Sequence, residues 1–247
     1  MANTFSITLK EVREVADGTC VFVFDKPEGY EFKAGQYVAL VAPKLDDIEP
    51  DQRGLSRSLS IASAPCENEL WFAMRKSDSY FKRTMWALEP GAIATITKSV
   101  GFFTVPEDDD RPIVFLIGGI GITPARAILK QAEHDHVTRQ FTLFYSNRFD
   151  KDAAFEDEMR AFDLPGYRFV RVLSKSDEVC APENDERGYI CEEAIKKYVP
   201  ATDQVLYYIV GSPQFAGAME TLLDSMGIPK ERRHMDPFSG MVAQSVR

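Results

Sequence analysis

The stretch Arg57-Ser58-Leu59-Ser60-Ile61-Ala62-Ser63 puts one permanent cation and three small hydroxyls on a segment that reads as extended. A guanidinium is a planar fork of donors, suited to phosphate or pyrophosphate. Side chains alternate along a strand, so Ser60 shares a side with Ser58 and can offer its hydroxyl to the edge of a heterocycle. Further on, Gly118-Gly119-Ile120-Gly121-Ile122-Thr123-Pro124 follows the apolar run Ile113-Val114-Phe115-Leu116-Ile117. Gly118, Gly119 and Gly121 let the backbone approach a ligand closely and take positive φ where needed. A helix beginning at Pro124 would aim free N–H groups and a partial positive charge at a phosphate, and Thr123 adds a hydroxyl. No Gly-Lys-Ser/Thr follows, which excludes a triphosphate-binding loop of that type.

Other chemistries find little support. His134 and His136 are separated by one residue, the wrong spacing for a helical metal pair, and no metal site is expected. There is no Gly-x-Ser-x-Gly elbow, which argues against a hydrolase. Cys20, Cys66, Cys180 and Cys191 show no Cys-x-x-Cys spacing, so neither an iron–sulfur cluster nor structural zinc is expected and the thiols read as reduced. A net charge of −9 argues against general affinity for nucleic acid or anionic membrane. There is no long uncharged apolar stretch and no basic region followed by an apolar core at the N-terminus. No transmembrane segment is therefore expected, and a cytoplasmic location is.

Two kinds of element must position these residues. In the first half, Phe5, Ile7 and Leu9 alternate with polar neighbours, and Val21-Phe22-Val23-Phe24 follows the turn signal Asp17-Gly18. Further strands are expected at 36–41, 57–61, 70–75 and 93–98, with one helix at 80–88. Short strands punctuated by Gly and Pro imply a small antiparallel β-barrel. After the acidic, proline-flanked stretch 106–112 the rhythm changes. Strands at 113–117, 141–145, 167–173 and 205–210 alternate with helices from 124 and at 153–162, 191–198 and 213–226. That order predicts a doubly wound parallel α/β sheet. The expected division is residues 1–107 for the barrel and 108–247 for the nucleotide domain.

The Arg57–Ser63 segment followed by the Gly118–Pro124 turn resembles the ferredoxin–NADP reductase family of flavoprotein electron transferases. Phe32-Lys33-Ala34-Gly35-Gln36-Tyr37-Val38, Leu88-Glu89-Pro90-Gly91 and Gly101-Phe102-Phe103 fall in family order, as do Val210-Gly211-Ser212-Pro213-Gln214 and Asp236-Pro237-Phe238-Ser239-Gly240-Met241. The resemblance implies that Arg57 contacts flavin phosphate and that Ser60 lies near the flavin N5, with Ser58 and Leu59 beside them. It places Lys82 and Arg83 where the family often has a glycine and a serine whose backbone binds pyrophosphate. It assigns Gly118, Gly119, Gly121, Thr123, Gly211 and Phe238 to the cofactor sites, with Asp236 and Ser60 as the catalytic pair. Leu59 stands for the family's aromatic, Val210 for its cysteine, Asp236 for its glutamate and Met241 for its terminal aromatic.

The implied cofactor is FAD, with NADPH or NADH as substrate. Arg148 and Lys175 follow the second and third strands of the α/β sheet, with Ser146-Asn147 where an acidic residue would favour NADH, so the expectation leans to NADPH. Lacking a cluster of its own, the chain is expected to pass electrons to a separate carrier protein: ferredoxin, flavodoxin or an oxygenase component. The alternatives are an electron-transfer subunit of a larger complex and a flavin-binding regulatory module with little turnover.

Overall fold

The computed structural model describes residues 4–175 and 185–237. Two six-stranded sheets follow one another along the chain. The first is built from β1 (Thr4–Ala16), β2 (Thr19–Asp25), β3 (Tyr37–Val41), β4 (Ser56–Ser60), β5 (Glu69–Arg75) and β6 (Ile93–Thr97), with α1 (Tyr80–Ala87) between the last two. Its order is β4-β3-β6-β1-β2-β5, every pairing antiparallel. β1 serves two neighbours: Thr4–Thr8 pairs with β6, and Leu9 onward pairs with β2 through two register shifts. Such bulges bend a strand and raise its twist, which curls the sheet. Just past β4, the Ala62 N–H donates to the Trp71 carbonyl of β5 at 2.8 Å, bringing the sheet's two edges together. The expected antiparallel barrel is therefore present.

The second sheet holds β7 (Ile113–Gly118), β8 (Phe141–Asn147), β9 (Arg168–Leu173), β10 (Asp185–Arg187), β11 (Leu206–Gly211) and β12 (Arg233–Pro237). Its order is β10-β9-β8-β7-β11-β12, all parallel, so the winding reverses between β7 and β11. That reversal opens a crevice at the carboxyl ends of the strands, where doubly wound sheets bind ligands. The helices are α2 (Ile122–His134), α3 (Glu156–Ala161), α4 (Glu192–Tyr198) and α5 (Pro213–Ser225). Three expectations shift. β10 and β12 were not foreseen. α2 begins two residues before Pro124, after a 3-10 turn at Gly119–Gly121. α3 is shorter than expected, because Phe155 is left-handed at φ 59° and the helix begins only after it.

The core explains why β2 is apolar on both faces. Phe22 and Phe24 point into the barrel with Val38, Leu40, Phe72 and Ile96. Val21 and Val23 point the other way, and with Ala73 and Phe103 they join Ile117, Ile122, Ala125 and Ile128 of the second unit in one buried cluster. The contact between the units is thus continuous hydrophobic core. The Tyr208 hydroxyl crosses it to donate to the Thr104 carbonyl at 2.8 Å.

Candidate functional site

β4 carries both Arg57 and Ser60. Leu59 packs, half-buried, against the barrel core, whereas Ser58 is exposed. Ser60 is only 6% exposed, and its Oγ has no partner. The Arg57 Nη1 is tied to the carbonyls of Arg53, Gly54 and Ser56 at 2.7–3.1 Å, but its Nη2 is buried and unpaired. Its guanidinium lies 5.4 Å from the Phe81 ring centroid. Unmet buried donors and hydroxyls are costly, so both atoms have the character of groups shaped for a ligand.

Lys82 of α1 turns towards the same place. Burial, then the neighbouring Arg57 and Arg75 guanidiniums, hold its ammonium below the ordinary lysine pKa. No carboxylate pairs with Lys82 among the described residues. Arg83 is exposed and leaves the cluster, its Nη2 donating to the Glu49 carbonyl. The amino end of α1 is capped internally. The Ser79 hydroxyl accepts from Lys82 N at 3.4 Å, and the Asp51 carboxylate accepts from Tyr80 N at 2.8 Å. Side-chain cations, rather than free helix N–H groups, are therefore what this end of the barrel offers an anion.

The four glycines of the crevice do different work. Only Gly119 has positive φ, at 54°. A Cβ on Gly118 would lie 2.8 Å, and one on Gly211 2.6 Å, from the Phe215 ring, and one on Gly121 2.8 Å from the Val210 carbonyl. Those three glycines are required by close packing among β7, β11 and α5. Gly119 alone is governed by its conformation, and its nearest side chain is Arg75, whose Nη2 would be 3.3 Å from an added Cβ. Arg75 also donates to the Asp152 carbonyl at 3.4 Å. Sequence reading missed Arg75, yet it links the two halves of the site, near enough to Lys82 to help lower its pKa and the nearest side chain to Gly119. A cation closing an otherwise apolar strand, Phe72-Ala73-Met74-Arg75, was the available signal.

Thr123 is 3% exposed, and its hydroxyl is turned to the Ile120 carbonyl at 3.4 Å. Asp236 is in register with Val210, which is in register with Ile117, so it stands at the carboxyl end of the sheet across the crevice. Burial pushes its carboxyl above the ordinary aspartate range. Arg148 and Lys175 are both exposed, and the Lys175 N–H donates to the Arg148 carbonyl at 2.9 Å, which sets the two residues' backbones side by side. Phe238 lies outside the described residues.

Residues 115–221 match the family described as the oxidoreductase NAD-binding domain. The chain is 27% identical over 221 residues to the reductase component of propane 2-monooxygenase from Rhodococcus jostii, covering 87% of this chain and 57% of that protein. It is 23% identical over 240 residues to a flavohemoprotein from Oceanobacillus iheyensis, covering 93% of this chain and 57% of that one. The chain thus spans little more than half the length of these curated relatives. Among solved structures, a ferredoxin NADP+ reductase from Neisseria gonorrhoeae superposes with a TM-score of 0.80 at 22% identity, covering 96% of this chain and 99% of that one. A curled antiparallel sheet leading into a doubly wound sheet is the fold this chain shares with that reductase, and the match to the oxidoreductase NAD-binding domain falls on the second sheet.

Proposed function

We propose that the chain is an NAD(P)H-dependent FAD oxidoreductase that passes electrons to a separate protein carrier. The observation that carries this reading is the gathering of Arg57, Lys82 and Arg75, none in a salt bridge with a carboxylate among the described residues, near the unpaired Ser60 hydroxyl and the Gly119 turn. Residues 1–107 serve as the flavin unit and 108–247 as the pyridine-nucleotide unit. FAD, when bound, supplies the conversion between a two-electron hydride and single electrons. The protein's part is to bind and orient. Arg57 Nη2 and Lys82 receive flavin phosphate, and Ser60 Oγ donates to the heterocycle edge. The Gly119 turn and Arg75 receive the dinucleotide. Asp236 faces the crevice with a carboxyl whose charge burial disfavours, so the nicotinamide end of the crevice stays weakly charged. Arg148 and Lys175 together favour the 2′-phosphate of NADPH. An oxygenase component or a ferredoxin is the proposed acceptor, in keeping with the reductase component among the relatives. The free thiols of Cys20, Cys66 and Cys191 support a reducing, cytoplasmic setting.

The purified chain is expected to be yellow, with roughly one non-covalent FAD per chain for one such site, and to lose flavin absorbance rapidly when mixed with NADPH in a stopped-flow instrument. Release of FMN on heat denaturation overturns the cofactor assignment. Retention of FAD without bleaching by NADPH or NADH overturns the enzyme reading in favour of a binding module.

A further inference from the structure

One side chain at the centre of the contact between the units takes no part in the site above. Arg126, in the second turn of α2, is 1% exposed and is the largest fully buried side chain among the described residues. Its Nη1 donates to the Ala62 carbonyl at 2.8 Å and to Glu67 Oε2 at 2.9 Å. Its Nη2 donates to Glu67 Oε1 at 3.1 Å and Glu158 Oε1 at 2.7 Å, and its Nε to Glu158 Oε2 at 2.8 Å. Every N–H of the guanidinium is used, in two bidentate carboxylate pairs and one carbonyl bond. The plane is flanked by the rings of Trp71 and Phe155, with centroids 4.1 and 5.5 Å from the guanidinium carbon. Burial opposes the charge, but Glu67 and Glu158 outweigh it and hold the guanidinium protonated.

The connections matter for where they lead. Ala62 is two residues past Ser60 in the flavin unit, whereas Arg126 is three residues past Thr123 in the nucleotide unit. Glu67 also accepts from Ala64 N at 2.6 Å, and Cys66 N donates to Gln131 Oε1 on α2 at 2.8 Å. The whole loop following the flavin strand is therefore fastened to the helix that follows the glycine turn. The third limb, Glu158, lies on α3, whose preceding residue Phe155 sits at φ 59°, ψ 19°. A bulky residue holds that left-handed conformation only where its surroundings over-determine it. Here the surroundings include the Arg126 guanidinium beside its ring.

Building on the oxidoreductase reading, we infer that Arg126 is a positioning residue that fixes the spacing between the Ser60 strand and the Gly119 turn, and so sets the rate of hydride transfer rather than the affinity for either cofactor. The argument depends on the fork and not only on the charge, because an ammonium cannot hold two carboxylates bidentately at once. A misplacement of about 1 Å between reacting groups costs on the order of 100-fold in rate.

The test uses the full chain as the FAD-loaded protein, in wild-type, Arg126→Lys and Glu67→Gln forms. Amide hydrogen exchange across 61–67 and 122–131 is followed beside single-turnover flavin reduction by NADPH and NADH. Both variants are expected to keep their FAD and the slow exchange of β7 and β11. Exchange at Ala64 and Cys66 should speed up. The limiting rate of flavin reduction should fall about 10- to 100-fold, while the apparent Kd for the nucleotide changes less than about threefold, a change worth under half of a tenfold step in free energy. Unchanged exchange in both variants overturns the clamp. Faster exchange with an unchanged limiting rate, or a loss confined to nucleotide Kd, overturns the positioning role. A wild-type protein that neither nucleotide reduces overturns the oxidoreductase reading itself, and the kinetic half of this inference with it.

Discussion

Lys82→Met should move stability and flavin affinity in opposite directions. Burial and two guanidiniums depress the Lys82 pKa, so the charged form is disfavoured in the folded protein. For a lysine whose folded pKa lies below its unfolded value, that penalty is fully present at pH 7. It fades as pH rises towards the ordinary lysine value of about 10.4. Methionine keeps a similar length and a good helix propensity, and it relieves the repulsion. The apo variant should therefore melt above apo wild type at pH 7, and the gap should close by about pH 10.5, near the ordinary lysine pKa. Flavin binding loses one charge-assisted contact, worth about 1.5–3 kcal/mol when well formed. The lower end applies to a half-buried side chain, so about a tenfold rise in Kd is expected. Thermal melts of apo and FAD-saturated protein, beside a fluorescence-quenching titration with FAD, read both effects. A variant that melts lower without flavin and binds FAD as tightly as wild type refutes the reasoning and removes Lys82 from the anion site.

Gly119→Val places a β-branched residue at φ 54° against Arg75. It should cost on the order of 1–2 kcal/mol of stability and weaken nucleotide binding with FAD retained; unchanged flavin reduction at low NADPH removes the turn from the site. Arg148→Ala and Lys175→Ala should each lower the NADPH-to-NADH ratio of kcat/KM with ferricyanide as acceptor, leaving NADH kinetics nearly unchanged; a wild-type preference for NADH ends the argument from these cations. Asp236 has a folded pKa raised by burial, so its ionisation opposes folding above the ordinary aspartate value of about 3.9. Asp236→Asn should therefore raise the apo Tm at pH 7 and lose that advantage towards pH 3; a lower Tm at pH 7 shows the carboxylate to be paired.

Much of this arrangement is legible in the residues. Continuous apolar runs announce β7 and β11 because both their faces are covered, and the Gly-Pro punctuation of the first half announces the barrel. What escapes has a physical reason in each case. β10 is Asp185-Glu186-Arg187 and β12 holds one aliphatic residue in Arg233-His234-Met235-Asp236-Pro237. These edge strands cover little core and show no periodicity. The glycines of the turn read alike in sequence, although only Gly119 needs its backbone freedom and its neighbours are fixed by the Phe215 ring and the Val210 carbonyl. Arg75 and Arg126 are hidden for a different reason. Arg75 closes an apolar strand beside Lys76 and Arg126 is a lone charge in an apolar stretch, and the partners of each come from segments distant in the chain. For Arg126 the signal is its place beside Ile122, Ala125 and Leu129 on the buried face of α2.

The shared hydrophobic cluster of β2, β5, β7 and α2 has a consequence for cooperativity. Val21 and Val23 are lining for the second unit as much as for the first, so cutting the chain near residue 107 would strip each half of a covered face. The two units are therefore expected to melt together in one transition rather than one after the other.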